Sequence, residues 1–408
     1  MSKLDIHKLK NGMVLLGERI DHVQSVSFQF LIPAGAALLP EGCQGAGEVI
    51  SDWIFRGAGD RDSRQLMEIL DGLGIHRHTG VTAEHLLISG SMESGSLYGA
   101  LDIFADIILR PKRDTAQFAL AREQAVNELL GLDDDPRDKV MVHLKEQFYP
   151  DPYGRSPLGE MSELQALTAQ TAGEIIERCF VPSQLIFSIS GKYDFDAVCR
   201  QMEALFDIDR PYAPAAITPE YRGQRYLHVP SQGAQVHIGL MTAVPPIGGG
   251  CYYELMAAVS ILSGSMSSRL FTEVREKRGL CYAVGARYRS MKDYAGISCY
   301  AGTTPEKAQE TLDVIIEQFN LLKNGISDDE MQRAKVGLKT SLIMQCESTS
   351  SRSAGLGSDY YLLGRVRSVD EIRDNIASLN PARITETLQQ HPFDNYTVVT
   401  IGPKAITL

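Results

Sequence analysis

The sequence has no Cys-x-x-Cys pair, no Gly-x-x-x-x-Gly-Lys-Ser/Thr loop, and no long apolar run free of charge. Its seven cysteines (Cys43, Cys179, Cys199, Cys251, Cys281, Cys299, Cys346) are scattered and odd in number. That excludes a thiolate zinc site and a disulfide framework, and leaves small core hydrophobes in a reducing compartment. The missing glycine loop removes the usual phosphate cradle of nucleotide hydrolases. A bilayer-spanning helix needs about 20 apolar residues, so none is expected. The opening stretch, residues 1–20, alternates polar and apolar residues and shows no basic-then-apolar secretion signal. A soluble, cytoplasmic chain is the expectation. Positive charge is also short: 40 Lys and Arg stand against 51 Asp and Glu, a net charge of -11. Nucleic-acid backbones and anionic membrane surfaces would repel such a chain, so neither is expected as a partner.

Enough is present for two sizeable cores. Hydrophobic residues make up 44% of 408 positions, which suits two domains of roughly 200 residues. A weak internal repeat supports the division. The strand-like run Val26-Ser-Phe-Gln-Phe-Leu-Ile is echoed 210 residues later by Val236-His-Ile-Gly-Leu-Met. The helical pattern Leu101-Asp-Ile-Phe-Ala-Asp-Ile-Ile is echoed 211 residues later by Leu312-Asp-Val-Ile-Ile-Glu-Gln-Phe. A second amphipathic helix follows each, near residues 115–130 and 328–343. Between the copies, residues 209–220 hold three prolines without periodicity, which marks a linker. The expected domains are residues 1–212 and 225–408, joined by 213–224. Strand patterns fall at 11–20, 25–32, 84–92 and 184–192, then at 225–229, 235–242, 282–290 and 295–302. The expected class is α+β: two homologous domains, each a mixed, mainly antiparallel sheet with helices packed on one face.

Residues 45–57 read as a helix with two faces. Ala46, Val49, Ile50, Trp53 and Ile54 form an apolar stripe, while Glu48, Ser51 and Asp52 share the other side. Positions i, i+3 and i+4 converge on a helix, the spacing at which an inverted His-x-x-Glu-His motif presents two imidazoles and a base to one metal. This helix, the run Asp62-Ser-Arg-Gln-Leu-Met-Glu-Ile-Leu-Asp-Gly-Leu-Gly, the Pro157-Leu-Gly element and residues 268–282 together carry a resemblance. Ser268-Arg-Leu-Phe-Thr-Glu-Val-Arg-Glu-Lys-Arg-Gly-Leu-Cys-Tyr282 carries most of it. The chain resembles the pitrilysin, insulinase and mitochondrial-processing-peptidase family of zinc metallopeptidases over nearly its whole length.

The resemblance implies a zinc site that this chain has lost. Glu48 and Asp52 stand where the family has its two histidines, and Ser51 stands where it has the base. Glu128 matches the distal glutamate ligand, while Ala121 replaces a supporting glutamate. The chemistry points the same way. Zinc favours imidazole and thiolate, and an unactivated serine cannot take a proton from water near neutral pH. Glu48, Asp52 and Glu128 could hold a hard cation such as magnesium or calcium. Carboxylates at helical spacing are more often solvated or hydrogen-bonded, so no metal or cofactor is expected in this chain. His76, His78 and His85 lie within ten residues but lack a spaced fourth ligand, and surface or edge-strand positions are expected for them.

Arg275 and Tyr282 lie seven residues apart around Gly279, which should end one helix before the next strand begins. In the resembled family such a pair reaches the cleft and holds the substrate backbone and the developing oxyanion. The resemblance further implies members that work as unlike pairs, one chain bearing zinc and the other the Arg/Tyr pair, closed around an unfolded peptide. There the peptide adds as a strand to a sheet edge, which His78, Thr79, Gly80, Val81 and Thr82 would supply here. The functional expectation is therefore a non-catalytic subunit of a heterodimeric zinc peptidase. It would give Arg275, Tyr282 and half of the peptide chamber to a zinc-bearing homologous partner. The alternatives are a structural or homodimeric scaffold without peptidase activity, and a hydrolase using a carboxylate-bound metal.

Overall fold

The computed structural model describes residues 3–212 and 217–408. The chain divides into two compact units that are not contiguous in sequence. The first comprises Met1–Gly131, Arg155–Pro219 and Gln345–Val366, the second Leu132–Gly154, Glu220–Met344 and Arg367–Leu408.

The first unit is built on a six-stranded sheet. Its strands are β1 (Lys3–Lys8), β2 (Val14–Arg19), β3 (Ser25–Ile32), β6 (His76–Val81), β7 (Leu86–Glu93) and β8 (Ile186–Gly191), and a short ribbon pairs β4 (Gly57–Ala58) with β5 (Arg61–Asp62). The sheet order is β1-β2-β8-β3-β7-β6, with β2 and β8 parallel and the other neighbours antiparallel. Alternation along β3 sends Phe28 and Phe30 to one face, where they meet Phe104, Phe187 and Phe206. These rings are fully buried, each worth about 2–3 kcal/mol of transfer free energy. Helices α1 (Ala46–Trp53), α2 (Ser63–Gly72), α3 (Leu97–Leu109), α4 (Thr115–Gly131), α6 (Met161–Ala166), α7 (Ala169–Cys179) and α8 (Phe195–Leu205) belong to this unit. The Asp62 carboxylate caps α2 on the Gln65 amide, and the Gln65 side chain accepts from the Asp62 amide, a reciprocal capping box.

The second unit repeats the design with five strands: β9 (Tyr226–Pro230), β10 (Val236–Ala243), β11 (Cys281–Ser290), β12 (Ala295–Thr303) and β13 (Thr397–Gly402). Its order is β11-β12-β10-β13-β9, with β13 and β9 parallel and the rest antiparallel. Setting β1 aside, successive strands of each copy take the same places in their sheets, down to the one parallel pair. The repeat in the sequence is thus a duplicated α+β domain. Helices α9 (Tyr252–Ser263), α10 (Ala308–Leu321), α11 (Asp328–Glu347), α13 (Val369–Ser378) and α14 (Pro381–Gln390) accompany this sheet. Residues Phe118 and Ala121 of α4 are buried as Met331 and Ala334 of α11 are, so these helices are counterparts too.

Most helices pack on one face of each sheet. One helix covers the other face, and in each case it comes from the opposite half of the sequence. In the first unit that helix is α12 (Thr349–Leu363). Gly357 lets it approach Leu31 and Ser188, and the Arg352 guanidinium donates to buried Glu18 at 2.6 Å. In the second unit it is α5 (Pro136–Phe148), whose Val140 and Leu144 bury against Met241, Val399 and Ile401. The division expected at the proline-rich stretch, 1–212 against 225–408, therefore misplaces residues 132–154 and 345–366. Each sheet has a second face to bury, and among the described residues α12 and α5 pack on it. Of the expected linker, residues 213–216 lie outside the described residues. Its end is anchored, because Glu220 and Asp151 exchange backbone hydrogen bonds and the Gln224 amide donates to Gln147.

Candidate functional site

Helix α1 starts at Gly45, and the Pro157-Leu-Gly element explains where. A Cβ on Gly159 would lie 2.4 Å from Gly45, so only glycine lets this loop close over the helix start. The helix then runs beneath α4. Trp53 fixes the pair: its indole N–H donates to the Asp114 carbonyl at 2.9 Å and its ring meets Phe118 edge-on.

This packing brings the four expected positions together. Glu48, Ser51 and Asp52 line α1, and Glu128 faces them from α4. The Ser51 hydroxyl donates to the Glu48 carbonyl at 2.9 Å and is buried, so it is a helix-internal donor and not a base. Asp52 accepts from the Arg56 guanidinium at 2.6 Å; Arg56 also donates to Gln124, whose amide donates to Glu128. Burial and the nearby charge of Glu128 push the Glu48 carboxyl up to about 7. The cluster is thus a hydrogen-bonded chain in which a built-in cation already serves Asp52. Among the described residues no group of three or more His, Cys, Asp and Glu side chains is placed to hold a metal. Arg56 and Gln124 were not marked by the sequence. The only signal was the i, i+4 spacing of Asp52 and Arg56.

The stretch His78–Thr82 falls largely in β6, which pairs only with β7 and forms the sheet edge. Thr82 lies past the strand and closes a turn, donating its amide and hydroxyl to the His85 carbonyl. His76 and His78 are exposed, as expected for an edge. His85 is not at the surface: it is buried and meets Tyr361 edge-on at 4.2 Å. All seven cysteines are free thiols, four of them buried.

Arg275 and Tyr282 sit around the expected break. The helix that carries Arg275 widens to π geometry over Phe271–Glu276 and stops at Gly279, which takes a φ of +57°. Tyr282 follows at the start of β11, an edge strand of its sheet. The Arg275 guanidinium stacks over Phe271 at 4.9 Å, which sets its direction while leaving it solvated. Tyr282 is 78% exposed. Among the described residues neither head group makes a hydrogen bond or ion pair. Neighbouring Arg269, Lys277 and Arg278 are all engaged, with Glu330 and Glu273.

Comparison with known proteins agrees with this architecture. Residues 15–160 match the family model Insulinase (Peptidase family M16), and residues 166–338 match the Peptidase M16 inactive domain. The chain belongs to the peptidase M16 family. An uncharacterized zinc protease of Rickettsia felis is 25% identical over 402 residues, covering 98% of this chain and 97% of that one. A crystal structure of a peptidase M16 inactive domain from Pseudomonas fluorescens superimposes with a TM-score of 0.89 at 18% identity, covering 100% and 99% of the two chains. A chain of Complex III2 from Candida albicans superimposes at 0.85 with 16% identity, covering 98% and 96%. Zinc, the metal named for the M16 relatives, does not suit the donors found here. Two carboxylates, a hydroxyl bonded within its own helix and an arginine pairing Asp52 stand where the family resemblance would put imidazoles and a base.

Proposed function

We propose that this chain is the non-catalytic member of a two-chain M16 peptidase. It lends Arg275, Tyr282 and half of a peptide-binding chamber to a homologous partner that carries the zinc. One contrast supports this reading: on the helix that would hold zinc, Ser51 is bonded within the helix and Asp52 is paired with Arg56, while the Arg275 and Tyr282 head groups are exposed and make no hydrogen bond or ion pair among the described residues. A side chain kept for packing would be buried or paired. These two are presented as donors, one cationic and one neutral, to something outside the chain.

The zinc would supply the activated water from the partner's side. This chain's part is then electrostatic. The guanidinium of Arg275 and the phenol of Tyr282 donate to the scissile carbonyl oxygen and strengthen as it gains negative charge, which is where such donors lower a barrier. Strand β6, with His78–Val81 on an unpaired edge, would take an extended peptide by backbone hydrogen bonds, a mode tolerant of many side chains. With its cysteines free and no helix long and apolar enough to cross a membrane among the described residues, work in a reducing, cytoplasmic setting fits the chain.

A scaffold without peptidase activity is the second reading, favoured by the same loss of ligands and base from α1. A hydrolase using a carboxylate-bound metal is disfavoured, because Arg56 already neutralises Asp52. Native mass spectrometry with elemental analysis on material purified from its own source separates them. The expected result is a one-to-one heterodimer with one zinc per pair. A zinc-free homodimer would contradict the proposal, and a stoichiometric metal on the lone chain would revive the third reading.

A further inference from the structure

The first copy of the fold shows what is needed at the step from helix to edge strand. There α2 is α-helical throughout, and β6 pairs in unbroken register with β7. The second copy departs from regularity twice at the same step. In the helix that carries Arg275 the Lys277 amide donates to the Thr272 carbonyl at 2.9 Å, a π turn holding one residue more than an α turn. In β11, Cys281 pairs with Thr303 and Ala283 with Gly302, so Tyr282 is the extra residue of a bulge. Arg275 therefore lies in one irregularity and Tyr282 forms the other, with Gly279 between them. Insertions of this kind re-aim side chains, and the regular first copy shows that the fold does not depend on them.

Two buried hydroxyls hold the turn between the pair. The Thr303 hydroxyl donates to the Leu280 carbonyl at 2.5 Å. The Thr311 hydroxyl lies 3.2 Å behind that of Thr303 and donates to the Lys307 carbonyl at 2.8 Å. From the surface, the Lys307 ammonium donates to the Gly279 carbonyl at 2.8 Å. Packing does not require hydroxyls here. In the first sheet Val26 stands opposite Met92, whereas its counterpart Val236 stands opposite Thr303. Ala100, the residue before Leu101, is matched by Thr311 before Leu312. Met92 and Ala100 are buried apolar side chains, and the two threonines are buried as fully. Burying a hydroxyl costs free energy unless it is bonded, and what these bond, through Thr303, is the turn that joins Arg275 to Tyr282.

We propose that Thr303 is a positioning residue for Arg275 and Tyr282, backed by Thr311 and assisted by Lys307. By fixing the Leu280 carbonyl beside the bulge, it sets the direction in which both donors leave the chain, so that they converge on one carbonyl oxygen of a bound peptide. At 1% exposure it touches no substrate itself. This role presupposes the one proposed above for the pair and adds what makes the two side chains act together.

The full chain is mixed with the zinc-bearing homologous partner that the proposed function requires, and hydrolysis of a quenched fluorogenic peptide is followed. Thr303→Val keeps the shape and removes the donor; it should lower kcat about ten-fold or more with KM within about two-fold, because misaimed donors weaken the transition state and not ground-state binding. Thr303→Ser keeps the hydroxyl and should stay near wild type. Lys307→Met changes only the surface, carries the test if the core variant does not fold, and should lower kcat by a smaller factor. With Arg275→Ala and Tyr282→Phe already in place, Thr303→Val should do nothing more. A fluorotyrosine at position 282 reads the chain without its partner: Thr303→Val should move the fluorine resonance, and Thr303→Ser should not. An unmoved resonance, a loss of kcat that persists in the doubly replaced background, or wild-type kcat in Thr303→Val while Arg275→Ala lowers it would overturn the positioning role alone. Unchanged kcat on replacing Arg275 and Tyr282 themselves would overturn the proposed function and this role with it.

Discussion

Replacing Glu48 by glutamine should stabilise the protein, and only at neutral and alkaline pH. Glu48 is mostly buried on α1 and feels the negative charge of Glu128, and together these raise its carboxyl from the ordinary 4.5 to about 7. Below about pH 4.5 the group is neutral in both the folded and unfolded chain and costs nothing. As pH rises from there to about 7, the unfolded chain gives up its proton first, and stability falls. Above about 7 the loss is complete. A gap of about 2.5 between the two pKa values corresponds to about 3 kcal/mol. Glutamine keeps the shape and never ionises, so the variant escapes the loss. For a unit of roughly 200 residues, about 3 kcal/mol should raise the first unit's melting temperature by about 6 °C or more at pH 8. At pH 4.5 the two proteins should melt together. Glu128→Gln should act in the same direction but less, since burial is the larger cause and remains. Calorimetry on wild type and both variants at pH 4.5, 6 and 8 gives the answer. A difference between Glu48→Gln and wild type that does not change with pH would refute the reasoning.

Other perturbations follow from the exchanged helices and the exposed pair. Arg352→Met removes the guanidinium that pairs with Glu18, whose side chain is only 6% exposed, and should cost about 3–5 kcal/mol by breaking a buried ion pair. Chemical denaturation of that variant against Glu18→Gln/Arg352→Met, which should recover much of the loss, checks the pairing. Leu144→Ala should cost about 2–5 kcal/mol in the second unit, because that fully buried side chain holds α5 on the sheet. If limited proteolysis and melting were unchanged, α5 would not belong to that unit. Arg275→Ala and Tyr282→Phe should leave stability within about 0.5 kcal/mol of wild type, as solvated head groups carry little folding energy.

Much of the fold was readable because most strands announce themselves by pattern. Val26–Ile32 and Val236–Met241 alternate against a core, and Cys281–Ser290 and Ala295–Thr303 form an antiparallel pair where apolar alternation placed them. Three strands carried too little signal. The edge strand His76–Val81 has no apolar face to alternate. Lys3–Lys8 alternates but over a short stretch whose apolar residues, Leu4 and Ile6, stay exposed, and Thr397–Gly402 is buried throughout and so lacks a period. The exchange of α5 and α12 was hidden for a different reason. Helix α12 buries Ser353, Gly357 and Asp359 along with Leu356, a face chosen for close approach to a polar sheet surface and not for apolarity. Nothing local says which half of the chain it serves.

At the candidate site, helical spacing brought Glu48, Ser51 and Asp52 to one face, and the family resemblance added Glu128. Neither showed that Arg56 and Gln124 tie them together, since a surface arginine four residues after an aspartate is unremarkable until α4 is packed against it.

The account rests on division of labour between two chains, and reconstituted hydrolysis tests that most directly. A quenched fluorogenic peptide is offered to this chain alone, to the zinc-bearing homologous partner that the account requires, and to the two mixed. The account predicts turnover by the mixture only. It also predicts a fall of about 100-fold or more in kcat, with a small change in KM, when this chain carries Arg275→Ala or Tyr282→Phe. Full activity of the mixture with both residues replaced, or hydrolysis by this chain alone, would contradict it.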